Sequence, residues 1–253
     1  MKISIITVAY NSGRTIADTL RSVAEQTHAD IEHIVIDGAS RDDTMAQVRA
    51  HGQHLGRFIS EPDSGIYDAM NKGLELASGE FVGFLNADDM LAHPQTLAHM
   101  AQRMHEADAL YGDLVYVDAE RTEKIVRRWA SGPYEASRLR FGWMPPHPTF
   151  YVRRSRLEGQ RFDLRYRIAA DYDFMLRSLQ QPGMRVHYLP EVLVHMRNGG
   201  ASNHSLKALW RKSSEDLAAM RSNRVGGLFT LAAKNLRKIP QFLARDPGAV
   251  ERP

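Results

Sequence analysis

Hydrophobic and polar positions alternate in two distinct ways along this chain, and the change between them divides it. Over the first hundred residues, short β-branched runs are followed by stretches whose apolar residues recur every three or four positions. That alternation predicts strand-helix-strand units on a parallel sheet. Ile3 to Val8, Ile31 to Ile36, the short Phe58 and Ile59, and the wholly apolar Phe81 to Leu85 read as strands. Asn11 or Ser12 is expected to cap a first helix striped by Ile16, Leu20 and Val23. Ser40 with Asp43 has the form of a capping box before a second helix. Tyr67 to Ala77 reads as helical, and Pro94 is expected to open a helix continued by Leu97, Met100 and Met104.

After Ala109 the segments become longer and richer in strand: Leu110 to Val117, then Lys124 to Trp129, then a Gly- and Pro-rich stretch from Gly142 to Pro148. Tyr172 to Leu179 and Leu206 to Met220 read as helices and Val186 to Val194 as extended. This pattern predicts a first half over 1–109, a less regular second half over 110–205 that is not an independent domain, and a helical extension over 206–253. From Arg224 to Arg245, Leu228, Phe229, Leu231, Leu236, Ile239, Phe242 and Leu243 are interleaved with Lys234, Arg237, Lys238 and Arg245. Such a basic amphipathic segment either packs on the domain or lies on a membrane surface, and Pro240 is expected to divide it.

Composition narrows the chemistry. With no cysteine among 253 residues, a thiol nucleophile, a thiolate metal site and a disulfide scaffold are all excluded. No apolar run approaches the roughly 20 residues of a spanning helix, and residues 1–10 lack the pattern of a secretory signal. A cytoplasmic protein, either soluble or peripheral on the inner face of the membrane through 224–245, is therefore expected. The net charge is only +3 and the basic residues lie mostly towards the C-terminus, so nucleic acid is not an expected partner.

Polar clusters fall where the predicted strands end, the edge at which open α/β sheets bind ligands. Thr7-Val8-Ala9-Tyr10-Asn11 ends the first strand and Asp37-Gly38-Ala39-Ser40 the second; each also reads as an ordinary loop or cap. Asn86-Ala87-Asp88-Asp89 follows the apolar run FVGFL. Two adjacent carboxylates there repel unless a cation relieves them, and Mg²⁺ or Mn²⁺ prefers such oxygen ligands; capping of the helix near Pro94 is the plainer alternative. Ala170-Asp171-Tyr172-Asp173-Phe174 sets a carboxylate at a helix entrance, where it suits either general-base chemistry or N-capping.

In this order, SIITVAYN, VIDGASRDDT, EPDSGIYDAMNKG, GEFVGFLNADD, HPTFYVRRS, AADYDFMLR and MRNGGASN resemble glycosyltransferase family 2 across about residues 2–205, particularly bacterial enzymes of exopolysaccharide, capsule and lipopolysaccharide assembly. The resemblance implies a GT-A (Rossmann-like) α/β fold, a mostly parallel sheet flanked by helices, with a GT-A domain over 1–205 made of a nucleotide-binding half, 1–109, and an acceptor half, 110–205. It implies an inverting transfer from a nucleotide-diphosphate sugar donor to a hydroxyl of a glycan or lipid-linked acceptor, assisted by Mn²⁺ or Mg²⁺. Thr7, Ala9, Tyr10 and Asn11 would line the nucleotide pocket, with Asp37 on the base, usually uracil or guanine. Asp88 would lie near ribose and metal, Asp89 would be the principal metal ligand, and Asp171 would be the base, with Asp173 next in line.

Three departures stand out. Asn86 occupies the first position of the usual Asp-X-Asp triplet, Ala170 replaces the glutamate that commonly precedes the base, and Ala69-Met70-Asn71 lacks an arginine that Lys72 or Asp68 would have to replace at the donor. His147 suits acceptor binding or a structural hydrogen bond, His195 falls loosely where a histidine sometimes meets the diphosphate, and Arg197 with Gly199-Gly200 could close on donor phosphates. Trp129 and Trp143 are expected in the core before any sugar. Two other readings stay open: a sugar nucleotidyltransferase, against which VAYNSGRT lacks a dense Gly and Lys loop, and a nucleotide-sugar or glycan-binding module without turnover, kept alive by Asn86 and Ala170.

Overall fold

Strands β1 (Ile3–Ala9), β2 (Ile31–Asp37), β3 (Arg57–Ser60) and β4 (Phe81–Phe84) alternate with helices α1 (Ile16–Ala24), α2 (Thr44–His51) and α3 (Ile66–Leu76) in this computed structural model, which describes residues 1–199 and 206–237. A two-residue strand β5 (Met90–Leu91) and helix α4 (Thr96–Met104) lead into β6 (Ala109–Val117) and β7 (Ile125–Trp129). Then come β8 (Tyr151–Arg153), α5 (Ala170–Leu179), β9 (Val186–Arg197), α6 (Leu206–Ser222) and α7 (Leu228–Leu236).

The two predicted halves share one nine-stranded sheet, ordered β3-β2-β1-β4-β8-β6-β9-β5 with β7 on β6. β1, β2, β3, β4, β6 and β9 run one way, while β5, β7 and β8 run the other. The mostly parallel α/β sheet is thus as expected, and it joins the halves through β4, which pairs with β1 on one side and β8 on the other. β9 is longer than Val186 to Val194 because it follows β6 through a bulge: Gly112 pairs with Leu189 and Asp113 with Val192, leaving Pro190 and Glu191 outside the ladder.

Layers of apolar side chains cover both faces of the sheet. α3 lays Tyr67, Met70 and Leu74 in one cluster with Ile6, Ile34 and Phe84, and α5 adds Tyr172, Phe174 and Met175 to it. α4 contributes Leu97, Met100 and Met104 to the opposite cluster, with Ile3, Phe81 and Tyr151. Trp143 belongs to the core as expected, its indole N–H donating to the Ser131 carbonyl at 2.9 Å.

Helix starts differ from the sequence reading, since loop side chains found partners across the sheet edge. α1 has Thr15 as its N-cap with no side-chain cap, while Asn11 Oδ1 accepts from Arg41 N at 2.9 Å. Ser40 turns its hydroxyl onto Asp37 instead of forming a capping box, and Asp42 Oδ1 accepts from Thr44 N at 3.0 Å. α4 begins at Thr96 because His93 and Pro94 form the preceding turn, closed by Thr96 N donating to His93 O at 3.1 Å.

At the opposite, amino-terminal edge of the sheet, Glu32 anchors three segments. It accepts from Ser4 Oγ at 2.5 Å, from Ser78 N and Oγ at 2.7 Å each, and from Lys2 Nζ at 3.3 Å. Burial by itself would raise its carboxyl, yet these donors outweigh that and hold it at about 2 against an ordinary 4.5. A carboxyl held below its unfolded value contributes stability above pH 4.5 and loses it as the pH falls towards 2. Glu32→Gln should therefore lower stability in urea unfolding by on the order of 2–3 kcal/mol at pH 7, with the gap to wild type narrowing between pH 4.5 and 2; equal stability at pH 7 would contradict this account.

Candidate active site

The carboxyl ends of β1, β2 and β4 meet as a crevice edge. Asn11 and Ala39 both adopt left-handed backbone, with φ of 51° and 58°. Such conformations are uncommon for residues with a Cβ and persist where surroundings enforce them. Here the enforcement is mutual: Asn11 N donates to Ser40 Oγ at 2.7 Å, and Asn11 Oδ1 holds Arg41 N. Asp37 is wholly buried and takes Ser40 N at 3.0 Å, Ser60 Oγ at 2.6 Å and the Ser40 hydroxyl.

Of the four expected pocket residues at the end of β1, Tyr10 and Asn11 face outward, Tyr10 with 64% of its surface exposed. The Tyr10 ring flanks Gly38, where an added Cβ would lie 3.3 Å from Tyr10 and 2.4 Å from Asp63 Oδ2. Gly38 is thus needed for close approach, and Asp63 is a crevice residue that sequence reading passed over. Its signal was the turn DSG, where Asp63 Oδ1 accepts from Gly65 N at 2.8 Å. Ala9 is buried beneath the crevice, and Thr7 is set apart from it: its hydroxyl is bonded to His33 Nε2 at 2.9 Å inside the sheet.

The loop after β4 carries the acidic pair. Asp89 is fully buried and Asp88 partly exposed. Burial raises both carboxyls, and in Asp89, pushed well up, the neighbouring Asp88 charge adds to it. Asn86 Nδ2 donates to Asp89 Oδ2 at 3.3 Å, while Asn86 Oδ1 and Asp89 Oδ1 are buried without any hydrogen-bond partner. Orphaned buried oxygens of this kind are costly. Two of them beside a strained acid pair make a donor set that fits a hard divalent cation. Among the described residues no three His, Asp or Glu side chains converge into a complete cage, so ligand oxygens would have to fill the shell. Neither aspartate caps α4, whose N-cap is Gln95.

Arg197 sits at the end of β9 and is buried, not in an open loop. Its guanidinium donates to Asp88 O at 3.2 Å, to Ala119 O at 3.2 Å and to the Asp18 carboxylate, so its forks face protein oxygens. It thereby braces the backbone of the acidic loop. Gly200, its companion in the expected closing loop, lies outside the described residues. His195 pairs with Met90 across β5 and faces His93 at 6.3 Å between rings, its imidazole lowered by burial first and then by His93.

The second half meets this edge at α5. Asp171 Oδ1 accepts from Tyr172 N at 2.8 Å and from the Tyr67 hydroxyl at 3.3 Å. Tyr67 belongs to α3, so the DSGIYD segment and Asp171 occupy one place. Asp173 is tied elsewhere, to Arg177 Nε at 2.8 Å and Asn223 Nδ2 at 2.7 Å. His147 is buried, stacked on Phe84 at 5.3 Å, with Nε2 unpartnered; burial lowers its imidazole while the Asp171 charge raises it. His147 thus stands between the end of β4 and Asp171. Asp68 Oδ2 closes the turn before α3 by accepting Ser64 N at 2.9 Å, and Lys72 is paired with Glu61 at 2.7 Å. Ser64, Asp68, Tyr67, Tyr166 and Arg167 line a cavity of about 160 Å³ beside them.

The family model described as Glycosyl transferase family 2 matches residues 4–164. A PGL/p-HBAD biosynthesis glycosyltransferase of Mycobacterium bovis is 34% identical over 209 residues, 79% of this chain and 78% of that one. An uncharacterized glycosyltransferase of Mycobacterium tuberculosis is 32% identical, over 70% of this chain and 68% of its own. Among solved structures, S. aureus TarS residues 1–349 with UDP-GlcNAc has a TM-score of 0.68 at 22% identity, covering 89% of this chain, which spans 66% of that one, just under two thirds. Glucosyl-3-phosphoglycerate synthase from M. tuberculosis, with Mn²⁺, UDP and glucosyl-3-phosphoglycerate, has a TM-score of 0.62 at 20% identity, covering 88% of this chain and 79% of its own. These two likenesses are of fold and agree with the sheet described above, and the family match over most of the chain decides the rest: this protein belongs to glycosyltransferase family 2.

Proposed function

We propose that this glycosyltransferase moves a sugar from a nucleotide-diphosphate donor to a hydroxyl of a bacterial glycan or lipid-linked acceptor by a single inverting displacement, with Asp171 as the base. The observation that carries this reading is the Tyr67 hydroxyl, which joins the donor-half segment DSGIYD to Asp171. Because Tyr67 and the Tyr172 amide both bond Oδ1, the second carboxylate oxygen is the one to take a proton. As the acceptor oxygen bonds to the anomeric carbon, the carbon–oxygen bond to the diphosphate breaks and its electron pair leaves with the phosphate. The acceptor proton passes to Asp171. Tyr10 offers a face for a base and Asp37, through the Ser40 loop, shapes that pocket.

Asp88 and Asp89, with Asn86, would hold Mn²⁺ or Mg²⁺; of the two carboxylates Asp88 is the one that keeps contact with solvent. The ion, once bound, would offset charge on the departing diphosphate. The TarS and synthase relatives, solved with UDP-GlcNAc and with Mn²⁺ and UDP, support this choice of donor and metal.

Helix α7 supports a surface-bound enzyme. Its inner face carries Thr230 and Lys234, only 3% and 4% exposed, beside a partly buried Leu231, while Leu228, Phe229 and Leu236 are 67%, 71% and 63% exposed. A helix that turns its apolar residues outward has a face awaiting an apolar partner. Arg224 and Arg237 flank it and Phe141 packs on Phe229 at 6.2 Å, which suits an anionic lipid surface. The rest of the expected amphipathic segment, from Lys238 on, lies outside the described residues. Among those described, no helix is long and apolar enough to cross a membrane.

Asp171→Asn should keep donor binding and lose about 10²–10⁴-fold in turnover, read as nucleoside diphosphate release; turnover at the wild-type rate would remove Asp171 from the mechanism, and donor binding without any release by the wild type would favour a binding module. Mn²⁺ should raise the melting temperature in the presence of nucleoside diphosphate, by about 2.7 kcal/mol of stabilisation at 100-fold excess over Kd, and Asp88→Asn should abolish the metal-dependent part. Phe229→Glu with Leu236→Glu should reduce co-flotation with phosphatidylglycerol vesicles about tenfold or more while leaving donor turnover intact. Unchanged flotation would reject the lipid-facing role of α7.

A further inference from the structure

Helix α5 carries Asp171 in its first turn, yet its own sequence caps it with Ala169 and provides no side-chain cap. The missing acceptor arrives from a segment beyond the residues that match the family model. Glu215 of α6 accepts Ile168 N at 2.7 Å and Ala169 N at 3.1 Å, both on Oε2. A carboxylate there satisfies amide groups that the helix leaves open, and its charge is favourable at a helix N-terminus.

The same peptide is held from its other side. Ile168 O accepts the Tyr67 hydroxyl at 2.6 Å, and that hydroxyl is also the one 3.3 Å from Asp171 Oδ1. Glu215, the Ile168 peptide, Tyr67 and Asp171 therefore form one connected chain of hydrogen bonds. Two further contacts bind the C-terminal helices to α5. Asn223 donates to Asp173 at 2.7 Å, and buried Lys234 lies 3.4 Å from the centre of the Tyr172 ring while paired with Asp216 at 2.8 Å. Residues on either side of Asp171 are thus gripped by α6 and α7.

We propose that Glu215 is a positioning residue for the transfer reaction: by holding the Ile168–Ala169 peptides from α6 it sets the Tyr67 hydroxyl and, through it, the Asp171 carboxylate. The α6–α7 pair is then part of the catalytic unit and not only a surface attachment. This rests on Asp171 being the base.

The test is a double-mutant cycle in the full chain, with kcat, donor KM and melting temperature measured for wild type, Glu215→Ala, Glu215→Gln, Asp171→Asn and the Glu215→Ala/Asp171→Asn pair. Glu215→Ala should lower kcat about 10–100-fold, the range for a slightly misplaced reacting group, with donor KM within about twofold. Glu215→Gln, whose amide oxygen can accept the same two N–H groups, should recover most of that loss. The double variant should be no slower than Asp171→Asn alone. Wild-type kcat in Glu215→Ala, a parallel loss of kcat and donor affinity, or the same fold-loss from Glu215→Ala in the Asp171→Asn background would each overturn the proposal. Should Glu215→Ala not fold, Glu215→Asp, one methylene too short to span to both amides, takes its place under the same criteria. Wild-type turnover in Asp171→Asn alone would instead defeat the base assignment, and so the two failures are separable.

Discussion

Strand β4 lies between a parallel neighbour, β1, and an antiparallel one, β8, and this double pairing is the constraint on which the rest of the molecule depends. Its four residues are all buried, so the strand cannot shift register without exposing Phe81 or Phe84. Gly83 shows how tight the junction is: a Cβ there would come within 2.3 Å of the Tyr151 ring on β8. With β4 fixed, the loop that follows it must leave the sheet beside β1, and His147, just ahead of β8, must settle on Phe84. The acidic loop and His147 are therefore positioned by backbone pairing before any ligand enters.

At that edge the electrostatics are deliberately uneven. Asp89 is buried next to Asp88, with its Oδ1 and the neighbouring Asn86 Oδ1 lacking partners, whereas Asp37 and Asp173, also buried, are engaged by hydroxyl, amide or cationic donors. A buried carboxylate is tolerated when bonded and costly when not. The contrast separates aspartates that hold loops in shape from those whose requirements a bound cation would meet. Arg197 tempers the pair through its guanidinium on the Asp88 carbonyl, its nearby charge and its backbone N–H towards Asp89. It also ties β9 to the Asp18 side chain on α1, so the acidic loop is braced from both halves.

The C-terminal helices have two faces with different tasks. Inward, Glu215, Asn223 and Lys234 reach the first turn of α5; outward, Leu228, Phe229 and Leu236 remain uncovered. Because one short helix bears both Lys234 and the exposed apolar residues, whatever the outer face rests on is only a helix diameter from the first turn of α5.

Much of this was legible in the chain itself. β-branched or wholly apolar runs located the strands of the first half except the two-residue β5, which is too short to show a pattern. Period-three-to-four apolar spacing marked helices such as α1 and α4, while α2 was expected from a cap pattern that the structure does not form. Clusters at strand ends, above all DSGIYDAMNKG and FLNADD, marked the crevice and the family, since side chains at that edge are determined by local order along a strand. What sequence could not reveal were contacts made by residues far apart: Ser40 spent on Asp37 instead of a cap, Thr7 turned to His33, Arg197 drawn inward to Asp18, and Asp63 against Gly38. Each is a polar group with several partners in reach, and only the packed sheet selects among them. Glu215 is the clearest case: nothing local distinguishes it from any solvated helical glutamate, and its role exists only because tertiary packing lays α6 across the uncapped end of α5. Elements thus follow from short-range periodicity, which the chain carries in itself, whereas hydrogen-bond partners follow from long-range geometry that exists only once the sheet has closed.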